Sequence, residues 1–276
     1  MATSVRQLIV NADDFGRSSS INPAVVRAHR QGILTSASLM VNENAFAEAV
    51  QLGKENPHLG VGLHLTLLRG HSTLAQEKIP DLVDSKNQFS NHPVATGIRY
   101  FFCRGLHSQL REEMAAQFEK FHSTGLKLDH VNGHLNIHLH PVIFEILIEN
   151  ATAWGIREIR LSYDPLRLNA RLARGRWTYR LSHYFIYRWL SNWARPMLRR
   201  NNIRFTQRVF GLLQSGRMNE EFLARLLQRL PEGDSELYAH PSLDDFKDEL
   251  DALISPAIKN LCEQNNIKLI RYQDLT

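Results

Sequence analysis

The sequence predicts an α/β fold, a closed parallel β/α barrel, on three observations. Eight short apolar runs rich in Val, Ile and Leu alternate with stretches of helical periodicity. The alternation extends over about 250 residues, the usual size of such a barrel, with no internal repeat or low-complexity linker dividing it. Ionisable residues stand at the C-terminal ends of the runs, the rim on which barrel enzymes build their sites. An open doubly wound sheet is the competing architecture.

Gln7 to Asn11 forms the first strand and closes on acidic residues and Gly16. Ile21 to Gln31 reads as a helix, with Asn22 as a candidate N-cap, Pro23 at the first helical position and Gly32 past the end. Thr35 to Val41 is the second strand, and Ala45 to Glu55 a helix stopped before Pro57. Gly60 to Leu67 alternates with period two and makes the third strand. A polar helix over Glu112 to Thr124 ends at Gly125 and leads into the strand Leu128 to His134. Pro141 to Trp154 is a helix framed by its proline and Gly155. Arg157 to Leu161, Arg204 to Phe210, Glu236 to His240 and Ile267 to Tyr272 complete the eight strands, with helices over Asn219 to Leu230 and Asp245 to Asn265. Residues 1–276 are read as one barrel domain with insertions at 69–111 and 165–205.

Composition narrows the class. At 43% hydrophobic and 22% charged, the chain is neither disordered nor fibrous. No apolar stretch reaches the roughly 18 residues of a spanning helix, and the apolar run Leu8 to Val10 is too short for a signal-peptide core. Two cysteines, Cys103 and Cys262, cannot staple a secreted mini-protein, so a cytoplasmic location is expected. The net charge of +5 is a composite. Pro165 to Asn219 contains twelve arginines and no Lys, Asp or Glu; without those twelve, 21 basic residues face 28 acidic ones.

The chemistry-bearing residues collect at the predicted strand ends. Asp13 and Asp14 lie in the run N-A-D-D-F-G, where one carboxylate can bind a metal while the other faces a water; a turn or helix-capping pair is the alternative. His64 points away from its neighbours Leu63 and Leu65, and a lone histidine there is more often structural than functional. The run D-H-V-N-G-H-L-N-I-H-L-H-P, Asp129 to Pro141, holds four of the thirteen histidines. His134, Asn136 and His138 share one side if the chain stays extended, a platform for a transition metal; surface histidines in a loop are the alternative. Arg160 and His240 occupy two further strand ends. One Asp and two His from separate strands leave coordination positions open for water and substrate, as a catalytic site needs. No G-x-S-x-G elbow, C-x-x-C, Walker loop or G-x-G-x-x-G is present.

N-A-D-D-F-G, the strand around His64, the His-rich run to Pro141, Arg160 and Ala239 to Pro241 together resemble the YdjC-like carbohydrate deacetylases, in the same order and over nearly the whole chain. H-V-N-G-H with H-L-H-P most resembles the hopanoid-biosynthesis-associated branch. The resemblance implies a distorted, TIM-like barrel similar to the polysaccharide deacetylases, a divalent metal ion (zinc or magnesium), and removal of acetyl from an N-acetylglucosaminyl headgroup, on a hopanoid lipid or else on a soluble chitooligosaccharide. It implies Asp14, His64 and His134 as metal ligands, Asp13 as general base, His240 as general acid and Arg160 as the partner of Asp13, with His138 in reserve as a ligand. Asn132 and Asn136 depart from the commonest family pattern, which has Asp and His there.

The arginine-rich insertion has its own pattern. Ile186, Trp189, Leu190, Trp193 and Met197 follow apolar helical spacing, with Arg188, Arg195 and Arg199 opposite, and Pro196 is expected to kink or end the helix. Trp177, Arg188, Trp189 and Trp193 are the candidate contacts to a membrane or lipid substrate on the inner face of the cytoplasmic membrane. A buried packing or homo-oligomer face is the second reading, and nucleic-acid binding the third, disfavoured by the acidic remainder of the chain. A non-catalytic membrane- or nucleic-acid-binding protein is the alternative to an enzyme.

Overall fold

The computed structural model describes residues 5–276, and its architecture is a parallel β/α barrel with one thin wall. Among the described residues seven strands form a single sheet in the order β4-β3-β2-β1-β6-β5, every pair parallel. These are β1 Arg6–Phe15, β2 Ser36–Leu39, β3 Gly60–Leu65, β4 Val131–Gly133, β5 Arg208–Phe210, β6 Gly233–Ala239 and β7 Ile267–Leu269. β2 pairs only with the C-terminal half of β1, from Asn11 to Phe15, and β7 fills the place beside Arg6 to Leu8. The expected fifth strand, Arg157 to Leu161, is reduced to isolated bridges between Val131 and Ile159 and between Glu158 and Arg204. With the bond from Val209 N to Tyr163 O (2.9 Å), these bridges span the gap between β4 and β5.

Burial explains why the strands read so plainly. Leu8, Ile9 and Val10 are fully buried, as is each of β2's four residues, because a parallel sheet is covered on both faces. Two glycines are fixed by close approach. A Cβ on Gly62 would lie 2.5 Å from the His130 ring, and one on Gly32 would lie 2.1 Å from the Leu253 carbonyl oxygen.

The helices follow their predicted spans with several differences. α1 (Ile21–Gln31) begins and ends as expected, but its N-cap is Ser20; Asn22 is buried and accepts a hydrogen bond from Gly16 N at 2.8 Å, tying the helix to the exit of β1. α2 is Phe46–Glu55. The first insertion holds an unexpected helix, α3 (Pro93–Phe102), before α4 (Leu106–Ser123), which starts earlier than the polar pattern suggested. After α5 (Pro141–Glu149), the second insertion forms α6 (Leu166–Leu172) and α7 (Trp177–Arg200). α7 runs through Pro196: Ala194 and Leu198 are fully buried on either side, and the carbonyl deprived of its donor belongs to exposed Asn192. α8 (Glu220–Leu227) is capped by Asn219, whose Oδ1 accepts from Phe222 N. The last predicted helix is two, α9 (Lys247–Ile254) and α10 (Pro256–Gln264), broken where Ser255 precedes a proline.

Candidate active site and metal centre

Parallel register brings the strand ends together. Ala12 of β1 pairs with Ala239 of β6, so Asp13 and His240 leave neighbouring strands at the same level. His64 of β3 pairs with Asn132 of β4. Asp14 follows in the left-handed region (φ 66°), a conformation Asp tolerates, which turns its carboxylate away from that of Asp13.

Asp14, His64 and His134 form one cluster. Asp14 Oδ1 lies 3.0 Å from His134 Nδ1 and 3.3 Å from His64 Nε2, and the three candidate ligand atoms all fall within 4.8 Å of one another. His64 Nδ1 is 2.6 Å from Asn132 Oδ1. An amide oxygen can only accept, so Nδ1 carries the proton and Nε2 presents its lone pair to the cluster. One carboxylate oxygen and two imidazole nitrogens fit a divalent transition ion such as zinc, with positions left for water and substrate. Burial alone would raise the Asp14 carboxyl, but His134 beside it holds it well below the usual range.

Asp13 is wired differently. Its two oxygens receive a bidentate guanidinium, Arg160 Nη1 at 2.7 Å and Nη2 at 2.8 Å, and Oδ1 also accepts from Asn11 Nδ2 (2.8 Å) and Asn132 Nδ2 (3.3 Å). Its burial opposes ionisation, yet Arg160 keeps the carboxyl well below the usual carboxylate range. Arg160 is itself fully buried, stacks over the Tyr238 ring at 4.3 Å, and donates from Nε (2.8 Å) and Nη2 (2.6 Å) to Glu236 Oε1. Tyr272 donates its hydroxyl to the other Glu236 oxygen.

His240 faces this cluster from β6. Glu249 on α9 accepts the His240 backbone N–H at 2.6 Å and lies 3.8 Å from the ring Nδ1. Burial would lower the imidazole, but Glu249, with Asp14 and Asp13 adding to it, holds it up at about 9, so it is an imidazolium at neutral pH.

His138 is not part of the cluster. Leu135 and Asn136 are both left-handed (φ 54° and 56°), so the chain turns over His134–Leu139 instead of staying extended, and the alternating-face platform does not form. His138 is buried, contacts the Arg160 carbonyl through Nε2 at 3.0 Å, and is pushed by burial down to about 3. Ser162 Oγ donates to Asn136 Oδ1 (2.6 Å) and Tyr187 Oη to the Leu135 carbonyl (3.2 Å), which holds the strained turn. His130 bonds Ser38 Oγ and stacks on Tyr272 at 4.2 Å.

A cavity of roughly 590 Å³ opens over Asp13, His64, His134 and His240. Its floor is polar. Its upper walls are apolar: Val94 and Ile98 of α3, Leu135, and Ile186, Tyr187 and Leu190 of α7. Trp177 and Trp189 are exposed on the outside of α7 and Arg188 lies beside Tyr184, whereas Trp193 packs inward on Phe144, with ring centroids 5.4 Å apart. Glu236 and Glu249 escaped the sequence reading. Glu236 shares the inward face of β6 with Tyr238 and His240, a period-two signal that was available; Glu249 reaches the site from a helix and left none.

The model of the YdjC-like protein family matches residues 7–264. A carbohydrate deacetylase of Brevibacillus brevis is 40% identical over 153 residues, which are 54% of this chain and 57% of that protein. A carbohydrate deacetylase of Geobacillus stearothermophilus is 37% identical over 163 residues, 59% of this chain and 60% of that one. The aligned part thus spans a little over half the length of these relatives. In structure, the chain is similar to an Enterococcus faecalis V583 protein, provisionally named for cellobiose-phosphate cleavage, with a TM-score of 0.75 and 22% identity over 98% of both chains. An uncharacterised Agrobacterium tumefaciens C58 protein follows with a TM-score of 0.54 and 10% identity, over 98% of this chain and 89% of that one. These two likenesses concern the fold.

Proposed function

The chain belongs to the YdjC-like protein family, and from that premise we propose that it is a metal-dependent hydrolase that removes the acetyl group from an N-acetylated sugar. The observation that carries the reading is the division of labour in one cavity: a three-ligand cluster at Asp14, His64 and His134, an ionised Asp13 clamped by Arg160, and an imidazolium at His240. Asp14, His64 and His134 would hold a divalent ion, which when bound would supply Lewis-acid chemistry at the acyl carbon. Asp13 takes the water proton as the new C–O bond forms. Arg160 keeps that carboxylate ionised and oriented before the proton arrives. His240 gives its proton to the nitrogen as the C–N bond breaks, leaving acetate and a free amine.

The finer substrate we propose is an N-acetylglucosaminyl headgroup carried by a hopanoid lipid. A polar floor suits the sugar, and apolar walls from the insertions 69–111 and 165–205 of a single barrel domain suit the carrier. The test is incubation with an N-acetylglucosaminyl hopanoid and, separately, with a chitooligosaccharide, reading the loss of one acetyl mass with and without a chelator. Loss from the lipid, abolished by chelation, is the expected result; loss from the oligosaccharide alone removes the lipid assignment, and loss from neither removes the deacetylase.

A further inference from the structure

Exposed apolar surface is concentrated on the two helices that wall the cavity, α3 and α7. On α3, Val94, Ile98, Phe101 and Phe102 are solvent-exposed, Phe102 by 73%. On α7, Trp177, Leu181, Phe185 and Trp189 recur every fourth residue and form a ladder along the solvent side, opposite buried Arg180, Ala194 and Leu198. The two patches belong to the helices that wall the cavity: Ile98 and Ile186 are more than half exposed and line it as well. A monomer rarely leaves this much apolar surface in water without a use for it.

The charges around the ladder select the partner. Residues 165–219 contain no acidic side chain, and among the described residues no arginine from 174 to 200 has an ion-pair partner. Arg188 and Arg199 are exposed on the ladder's side of α7. A second copy related by a two-fold axis would bring arginine against arginine, so self-association is electrostatically disfavoured. An aromatic ladder edged by unpaired arginines instead matches the headgroup boundary of an anionic bilayer, where rings enter the acyl region and guanidinium groups meet phosphates. Among the described residues, no helix is long and apolar enough to cross that bilayer.

We propose that α3 and α7 form a two-helix rim that seats on an anionic phospholipid surface with the cavity mouth turned to the lipid. A lipid-borne headgroup then reaches Asp13 and His240 without its carrier leaving the membrane; this last step rests on the substrate reading above, whereas the docking does not.

Cosedimentation of the full chain with phosphatidylcholine vesicles, with and without phosphatidylglycerol, tests the proposal. The expected result is binding only to the phosphatidylglycerol vesicles, weakened by high salt. Binding should fall by at least about tenfold in each of the double variants Phe101→Ser with Phe102→Ser and Phe185→Ser with Trp189→Ser, since each removes two aromatic side chains from the contact. These four side chains are exposed, and thermal melting verifies that the variants fold. The proposal is overturned by wild-type protein that stays in the supernatant, by double variants that bind like wild type, or by light scattering showing a dimer that the substitutions split. It is also overturned if vesicles fail to bind but single-stranded RNA does. Acetate release from a soluble chitooligosaccharide reads the chemistry separately. Vesicle binding without release from either this oligosaccharide or the N-acetylglucosaminyl hopanoid sinks the catalytic reading alone, and release without vesicle binding sinks the docking surface alone.

Discussion

Replacing Glu249 with Gln removes the carboxylate that makes His240 an acid. The rise from 6.5 to about 9 represents about 3 kcal/mol of preference for the imidazolium. Glu249 at 3.8 Å is the strongest of the groups favouring charge, and Asp13 and Asp14 supply the rest, so its loss should lower His240 by about 1 to 2 units. With His240 as general acid, the alkaline limb of kcat moves down by the same amount. For a variant near 7.5, that means about an eightfold loss at pH 8.5 and almost none at pH 6.5. Stability changes with its own sign. A raised imidazole stabilises the native state fully below its unfolded value of 6.5, and this contribution is lost as pH rises through about 9. Glu249 also accepts two backbone N–H groups, Met218 N at 3.0 Å and His240 N at 2.6 Å. A Gln presents its NH₂ to one of these donors and leaves it unpaired, at a cost of about 1–3 kcal/mol. The assay is the pH profile of acetate release between pH 5 and 10, with urea denaturation alongside. An alkaline limb that stays in place while stability falls would refute the acid assignment of His240 and leave Glu249 a purely structural residue.

Three further substitutions separate the remaining roles. Asn132→Leu strips His64 of the acceptor that fixes its tautomer, so metal affinity should drop by about 10- to 100-fold in a competitive chelator titration. Arg160→Ala leaves Asp13 and Glu236 buried without their shared cation, and urea unfolding should register a loss of about 3–5 kcal/mol. His138→Phe should bind metal as wild type does, because His138 contacts the Arg160 carbonyl and no ligand; a loss of metal would return it to the coordination sphere.

The sequence made most of the barrel readable, because buried parallel strands leave continuous apolar runs and α1 is bracketed by proline and glycine signals. It also placed Asp14, His64 and His134 on strand ends that the register then juxtaposes. What escaped it depended on tertiary contacts. α3 contains Gly97 and three aromatics in ten residues, a poor helix signal, and is held by docking Tyr100 into the core, with its hydroxyl on the Leu67 carbonyl at 3.0 Å. His138 was misplaced because Leu135 and Asn136 adopt positive φ with no glycine to announce it. Trp189 fits the apolar stripe of α7 by spacing, yet it lies 62% exposed while Trp193 packs inward, since periodicity alone does not say how wide the covered face is.

If Asp13 is the base, as proposed, it must be both dry and charged, and that requirement accounts for the ionic structure under the cavity. An isolated buried carboxyl would take a proton and lose its use as a base at neutral pH. Arg160 prevents this, but a guanidinium buried against one carboxylate has donors left over, and Glu236 takes Nε and shares Nη2. Glu236 in turn needs its second oxygen satisfied, and Tyr272 provides the hydroxyl. The chain Asp13–Arg160–Glu236–Tyr272 thus ties the reacting carboxylate to the C-terminal segment through fully buried groups. Such a chain adds little net stability over an apolar core, so its value lies in fixing where the charge sits. Asp14 is left outside this arrangement. Its charge meets half-exposed Arg17, at 2.7 Å, and the two imidazoles, so on the proposed reading the Asp14 carboxylate is the place in the floor where a divalent cation would complete the electrostatics.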